Sequence, residues 1–488
     1  MATTSSFDLT SLARQVMLDR GFIPDFSPEE EQEAKSLHLQ RIPFPEVPAQ
    51  DLRHLLWFSI DNDDSRDLDQ LTYAETLPDG RHQVYIAVAD VAWMVKKDDP
   101  IDRRAAHNTT SVYTPSKVFP MLPERLSTDL TSLNPDQDRL ALIFKGALSH
   151  EGQLEEYAIF TGYVHNYAKL AYDSVSLWLE GKASPPSPIQ KTEGLESQIR
   201  LQDTIAQHYS EYRQSIGALS LETIEAAAVF SDGIPVSMKE IQKNRARLLI
   251  ENFMILANAI SARFTEANRI FSLRRVVDKP KRWDKIVAIA ESKGTRLPPT
   301  PDGKALEQFL VDQKKSEPLT FPDLSLTIIK LLGRGVYQVY IPGKSSPGHF
   351  GLALPHYSQS TAPNRRFPDL IMQRLLLAFL AKQPLPYNPQ ELIILAERCT
   401  NKEDDAEKVQ RRMKKTVAAI ILTPKIGEEF DAIVTGASEK GTWARILTPP
   451  IEGKLVKGEE GLDVGDRLRV KLIHTDVSAG YIDFSRVN

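Results

Sequence analysis

One cysteine, Cys399, in 488 residues excludes an internal disulfide and points to a reducing compartment, so the cytoplasm is the expected location. No apolar run approaches the ~20 residues that span a bilayer, and no membrane is expected as a partner. The start, Met1-Ala2-Thr3-Thr4-Ser5-Ser6, lacks the basic stretch and apolar core of a secretory signal. A cationic excess is also missing: 60 Lys and Arg face 65 Asp and Glu, a net charge of −5. A nucleic-acid partner must then be gripped by a local basic channel, not by the whole surface. No repeat of solenoid period is visible. Asn108-Thr109-Thr110 fits a glycosylation sequon, which a cytoplasmic chain does not use.

The bulk composition, 41% hydrophobic and 26% charged, is that of a globular protein. At ~150 residues per domain the chain holds roughly two to four. Residues 1–50 read as a helical region, either part of a helix-turn-helix unit or a plain helical arm. Asp8 caps a helix from Leu9 to Arg20 that stops at Gly21, and Ser27 opens a second, acidic helix. Pro43, Pro45 and Pro48 mark an extended linker. Residues 51–390 form the main body. Val84 to Asp90, Leu140 to Gly146 and Glu155 to Val164 read as buried strands. Apolar spacing predicts helices over Ser237 to Glu266 and Asp369 to Leu380. A helical connector over 391–425 carries the basic patch Lys408 to Lys415. Over 426–488, five short strands punctuated by Gly436, Gly441, Gly465 and Gly480 predict a small barrel of the oligonucleotide-binding kind. The expected class is therefore a multidomain α+β protein, a mixed α/β body followed by a β-barrel.

The strongest local signal is Asp61-Asn62-Asp63-Asp64-Ser65-Arg66-Asp67-Leu68-Asp69-Gln70, behind the apolar run Leu55 to Phe58. Crowded carboxylates repel one another unless a cation neutralises them. At the end of a buried strand they suggest a hard divalent metal and phosphate chemistry. An EF-hand loop is excluded, because its sixth and twelfth positions, normally Gly and Glu, are Arg66 and Thr72. A solvated acidic turn fits less well, since Leu68 and Leu71 punctuate the cluster.

Asp61 to Gln70 resembles the signature of the ribonuclease II and ribonuclease R exoribonucleases, which usually ends in a further Asp. Further segments match in the same order. They are Val84 to Ala92, Thr110 to Pro115 with Pro120 to Ser127, Leu249 to Asn258, and Gly348 to Leu354 leading into Pro363-Asn364-Arg365-Arg366-Phe367-Pro368-Asp369-Leu370. The last 60 or so residues resemble the S1 RNA-binding domain that ends these enzymes.

The resemblance implies a magnesium-dependent 3′-to-5′ exoribonuclease with an RNB catalytic domain, releasing 5′-monophosphates from single-stranded RNA. One or two magnesium ions are implied, replaceable by manganese. Asp61, Asp67, Asp69 and, in place of the usual fourth carboxylate, Gln70 are the implied metal ligands, with Asp69 and Asp67 also catalytic. Asp63 or Asp64 can compensate for the missing charge at Gln70. Arg365 is implied at the scissile phosphate, shared by Arg366; the structural alternative is an ion pair from Arg365 to Asp369. Tyr113 is implied to stack on the 3′-terminal nucleotide, against the alternative of a core tyrosine. Glu251 is implied near that nucleotide, against a surface pair with Arg247. Leu221 falls where a second stacking ring is usual. In the barrel, Trp443 or Phe430 stacks bases or fills the core. Only about fifty residues precede Asp51, too few for the two cold-shock barrels of the best-known relatives. A more open entrance, and tolerance of a 3′-overhang duplex, is expected from that, in a monomer. The alternatives are a degenerate relative that holds RNA without cutting it and a magnesium phosphohydrolase of another ester.

Overall fold

The computed structural model describes residues 8–39, 47–241, 243–438 and 441–487. Pro43 and Pro45 of the expected linker lie outside them. Eight strands build the front of the molecule. They are β1 (Gln50–Asp51), β2 (Trp57–Asp61), β3 (Gln70–Thr76), β4 (His82–Ala89), β5 (Val112–Tyr113), β6 (Val118–Phe119), β7 (Asp138–Leu148) and β8 (Leu154–Ala171). Six of them form one sheet in the order β1-β8-β2-β3-β4-β7, while β5 and β6 make a separate hairpin. The long β8 closes the sheet on itself. Its first part pairs antiparallel with β7 and its last residues pair parallel with β2, ending at Asp61↔Ala171. Gly162 lies where β8 is flanked by both β1 and β7, and a Cβ there would stand 3.0 Å from Leu52 Cδ1.

Strand alternation decides what lies on either side. In β4, Val84, Ile86 and Val88 face a core completed by the central helix Arg245–Ala267. Ala87 and Ala89 face the opposite core, shared with the helices Pro100–Asn108 and Phe367–Leu380. Both faces are thus buried, as the near-continuous apolar run in β4 requires.

The two helices expected near the N-terminus are present with their caps. The first helix is Leu9–Asp19 with Asp8 as its cap, and the second, Pro28–Ser36, starts with a capping box of Ser27 and Glu30. The helix expected from Ser237 is corrected. Ile234–Ile241 is a strand, paired with Glu225–Ser231 across Asp232-Gly233, both with positive φ. That dipeptide is the usual signal of a two-residue hairpin turn, and it outweighs the helical spacing of the apolar groups that follow. The helix proper begins after its cap, Asn244.

A 34-residue helix, Pro389–Leu422, leads to the barrel. The barrel closes in the order Glu429–Ser438, Gly441–Ile446, Ile451–Lys457, Tyr481–Arg486, Arg467–Asp476. It docks on the body through Arg445, whose Nη1 donates to buried Asp323 at 2.7 Å. Among the described residues, no helix is long and apolar enough to cross a membrane.

Asp90, at the end of β4, is 4% exposed and accepts from the Trp93 amide at 3.0 Å. Burial pushes its carboxyl up to about 6. The raised folded value means that ionisation opposes folding, a penalty absent below 3.8 and complete above about 6. Asp90→Asn keeps an acceptor for Trp93 and removes the charge. It is expected to stabilise the protein by on the order of 1–3 kcal/mol at pH 8. Urea midpoints should show that gain fading as pH falls towards the unfolded value.

Candidate active site

The acidic segment leaves the sheet at Asp61 and returns at Gln70, so it forms the β2–β3 loop. Leu68 anchors it in the core at 1% exposure, and its amide donates to Ser132 Oγ at 2.9 Å. The Asp69 carbonyl accepts from the Ala89 amide at 3.0 Å. Lys169 Nζ holds the outer turn by the carbonyls of Asp63 and Ser65, at 2.9 and 2.6 Å. With these anchors, Asp61, Asp67, Asp69 and Gln70 all line one cavity of roughly 550 Å³. Asp63 and Asp64 are exposed and are not part of its wall, so they do not stand in for a fourth carboxylate here.

Asp69 is the most deeply placed of the set, 2% exposed. Its Oδ2 accepts from Arg365 Nε at 2.8 Å, and its buried Oδ1 has no hydrogen-bond partner. Burial pushes this carboxyl up to about 6; Arg365 opposes the shift, and Asp67 and Asp61 add to it. Asp67 is also raised, by burial first. Asp61 Oδ1 accepts from Ser65 Oγ at 2.8 Å. Among the described residues, no three acidic, histidine or cysteine side chains are gathered closely enough to enclose a metal by themselves. The arrangement is an open donor set with one orphaned oxygen.

The opposite wall comes from distant segments. Arg365 lies just before the helix Phe367–Leu380, with its side chain 40% exposed. Tyr113, in β5, is 38% exposed, and its hydroxyl stands 3.5 Å from Asp67 Oδ2. It is therefore not a core tyrosine. Glu251 and Leu221 also line the cavity.

Two ion pairs weighed as alternatives form with other partners, and one expected site residue lies outside the cavity wall. Asp369 is held by Arg366 at 2.6 Å, not by Arg365. The helix begins at Phe367, so Arg365 precedes it and the helical i,i+4 spacing does not apply. Arg366 turns inward to this pair and does not line the cavity, in contrast to its expected share of the phosphate. Glu251 pairs with Lys243 at 2.9 Å, because Arg247 reaches Asn62 Oδ1 at 2.8 Å and lies over the Tyr172 ring.

Tyr172, Lys243, Arg247 and Asn62 are cavity residues that sequence reading missed. Arg247 and Glu251 stand four residues apart on one face of the central helix, and Lys243 lies just before its cap, a spacing that was open to detection. Tyr172 follows a long strand with no local signal.

Trp443 does not line the cavity. It lies half-buried on the outer face of its strand, alternating with buried Thr442, Ala444 and Ile446. Phe430 packs against the barrel core. The patch Lys408 to Lys415 is partly structural: Arg412 bonds the Ser478 carbonyl of the barrel, and Lys408 pairs with Asp405.

An acidic loop facing an arginine, in a closed mixed sheet followed by a five-stranded barrel, is the arrangement of an RNB domain with an S1 module. The model of the RNB domain matches residues 49–382, and that of the RNase II-type exonuclease C-terminal S1 domain matches 428–487. The chain belongs to the RNB family. It is 30% identical to Ribonuclease R of Escherichia coli over 482 residues, covering 90% of this chain and 57% of that relative. It thus spans little more than half the length of that protein. The fold matches Mycoplasma genitalium RNase R in complex with ribose methylated single-stranded RNA, with TM-score 0.88 and 24% identity over 98% of this chain and 78% of that one. The same protein in complex with double-stranded RNA matches at TM-score 0.87 and 25% identity, over 98% and 83%.

Proposed function

We propose that this chain is a metal-dependent 3′-to-5′ exoribonuclease that shortens single-stranded RNA stepwise to nucleoside 5′-monophosphates. The observation that carries the reading is the single cavity in which Asp69, with its orphaned buried oxygen, faces Arg365. The names of the relatives support its coarser part, a ribonuclease. In this reading the catalytic body covers 51–390, the connector 391–425 and the S1 module 426–488, after the helical region 1–50. The protein acts as a cytoplasmic monomer.

Asp61, Asp67, Asp69 and the Gln70 amide would hold one or two Mg²⁺ ions, or Mn²⁺, which supply charge neutralisation and an activated water when bound. The donor chemistry fits: Mg²⁺ takes a few carboxylates and keeps waters and substrate phosphates as its other ligands, so a closed protein cage is not required. Gln70 in place of a carboxylate leaves the set one charge poorer. Arg365 offers a planar fork of donors to the reacting phosphate. Tyr113 presents a ring to the terminal base, and Glu251 an acceptor to its sugar or base. A 3′-overhang duplex is a further substrate in this reading.

The test uses 5′-labelled single-stranded RNA with Mg²⁺, with a chelator, and with Asp69→Asn. Stepwise shortening that needs both the metal and Asp69 supports the enzyme. Retarded but intact RNA would instead identify a binding protein that does not cut.

Trp443 is assigned to RNA contact on the barrel. Its ring lies over Gly436 and Gly441, where an added Cβ would touch it at 3.6 and 3.8 Å. Trp443→Ala is expected to weaken RNA binding by ~1–3 kcal/mol, the worth of one stacked base. Filter binding should show this loss with an unchanged thermal midpoint, since the ring is outside the barrel core.

A further inference from the structure

Two of the site's groups outside the acidic loop, Arg365 and Tyr113, hang from one short turn. Thr110 forms an isolated bridge with Arg366, the Ser111 amide donates to the Arg365 carbonyl at 3.0 Å, and the Phe367 amide donates to the Thr109 carbonyl at 2.8 Å. Two residues on, β5 delivers Tyr113. The segment Thr109–Ser111 thus fixes the arginine and the tyrosine together.

That turn starts from strain. Thr109 follows the helix Pro100–Asn108 in the left-handed region, with φ 60°, and is 2% exposed. A β-branched residue is disfavoured there and persists only where its surroundings hold it.

The surroundings are the N-terminal arm. The Ile23 amide donates to Asn108 Oδ1 at 2.9 Å, and Asn108 Nδ2 donates back to the Ile23 carbonyl at 2.8 Å. Asn108 is 2% exposed, so water does not replace this exchange. Arg104 secures the same stretch: its Nη2 donates to the Ile23 carbonyl at 2.9 Å, its Nη1 to the Met121 carbonyl at 2.9 Å, and its guanidinium lies 3.8 Å from the Phe26 ring centroid. Leu9, Ala13, Met17 and Phe22 of the arm share one core with Val112 and Phe119 of the Tyr113 hairpin.

We propose that the N-terminal arm is a positioning element of the active site, in which the Ile23–Asn108 exchange holds the Thr109 turn and thereby sets Arg365 and Tyr113 against the acidic loop. Asn108 is a positioning residue, since it touches neither the acidic loop nor the cavity wall. The inference rests on the exoribonuclease reading.

The experiment measures kcat and KM on 5′-labelled single-stranded RNA with Mg²⁺ for the full chain, for Asn108→Ala, and for Asn108→Ala combined with Thr109→Gly. A displacement near 1 Å at a reacting group costs up to ~10²-fold. Asn108→Ala is expected to lower kcat by about 10-fold or more, with KM within about threefold. Thr109→Gly should restore most of the loss, because glycine adopts the left-handed turn without a clamp. A destabilised but otherwise unaltered enzyme would not be rescued in kcat by glycine. The inference falls if Asn108→Ala keeps its kcat, or if the glycine variant fails to raise it while both proteins remain folded by circular dichroism. If the unaltered chain does not shorten RNA at all, the exoribonuclease reading itself falls. Should Asn108→Ala not fold, Ile23→Pro, which removes the amide donor from the arm side, is held to the same kcat criterion and the same glycine rescue.

Discussion

Asp69→Asn is expected to lower the rate of RNA shortening by about 10³-fold or more while leaving RNA bound. Asparagine nearly matches the shape, and its carbonyl can still accept from Arg365 Nε, now at 2.8 Å from the carboxylate. What disappears is the charge. Asp69 presents a buried oxygen without a hydrogen-bond partner to the cavity. In a site built for an anionic substrate, that oxygen is where a cation gains most. The substitution removes no apolar contact, and burying a neutral amide is easier than burying a carboxylate. The thermal midpoint should therefore hold or rise, so a lost rate cannot be ascribed to unfolding. Single-turnover rates with Mg²⁺, beside the affinity for the same RNA, separate the two. A rate within tenfold of the unaltered chain would remove Asp69 from the chemistry.

Much of this site was legible because its residues lie in short contiguous motifs. Asp61, Asp67, Asp69 and Gln70 fall in one loop, and the apolar strand before them and Leu68 among them both indicated a structured turn. The barrel was equally plain, with the five short strands expected between 426 and 488 all present. The pairings were not legible. Arg365 and Asp69 are 296 residues apart, and no periodicity joins them. The choice of Arg366 over Arg365 by Asp369 depends on where the helix starts, a boundary that Pro368 within the first turn blurs. The hairpin of Glu225–Ile241 was hidden for a different reason. Its apolar residues run on towards those of the central helix, so spacing alone favoured one long helix, and only Asp232-Gly233 spoke against it. The strain at Thr109 is a matter of φ, which sequence spacing does not carry.

The largest stability effect is expected at Asp369, which is fully buried in the first turn of its helix. Its Oδ1 accepts from the amides of Thr361 and Ala362, at 2.8 and 2.9 Å, and from Arg366 Nη2 at 2.6 Å. Asp369→Ala deletes all three bonds. It strands two buried N–H groups and leaves a cation, 22% exposed, without its counter-charge. Breaking a buried pair from one side costs about 3–5 kcal/mol, much of it the penalty of the abandoned charge. Removing the charge at both ends separates that penalty from the rest. Asp369→Asn combined with Arg366→Met keeps an acceptor for the two amides and leaves no ion behind, and it should recover a large part of the loss in urea denaturation. Activity should not recover in parallel, because Arg366 is one link from Arg365 and its backbone forms the bridge with Thr110. A double variant restored in stability but slow on RNA would show that this pair sets the position of the arginine as well as the strength of the fold. Equal recovery of both would make it a stabilising pair alone.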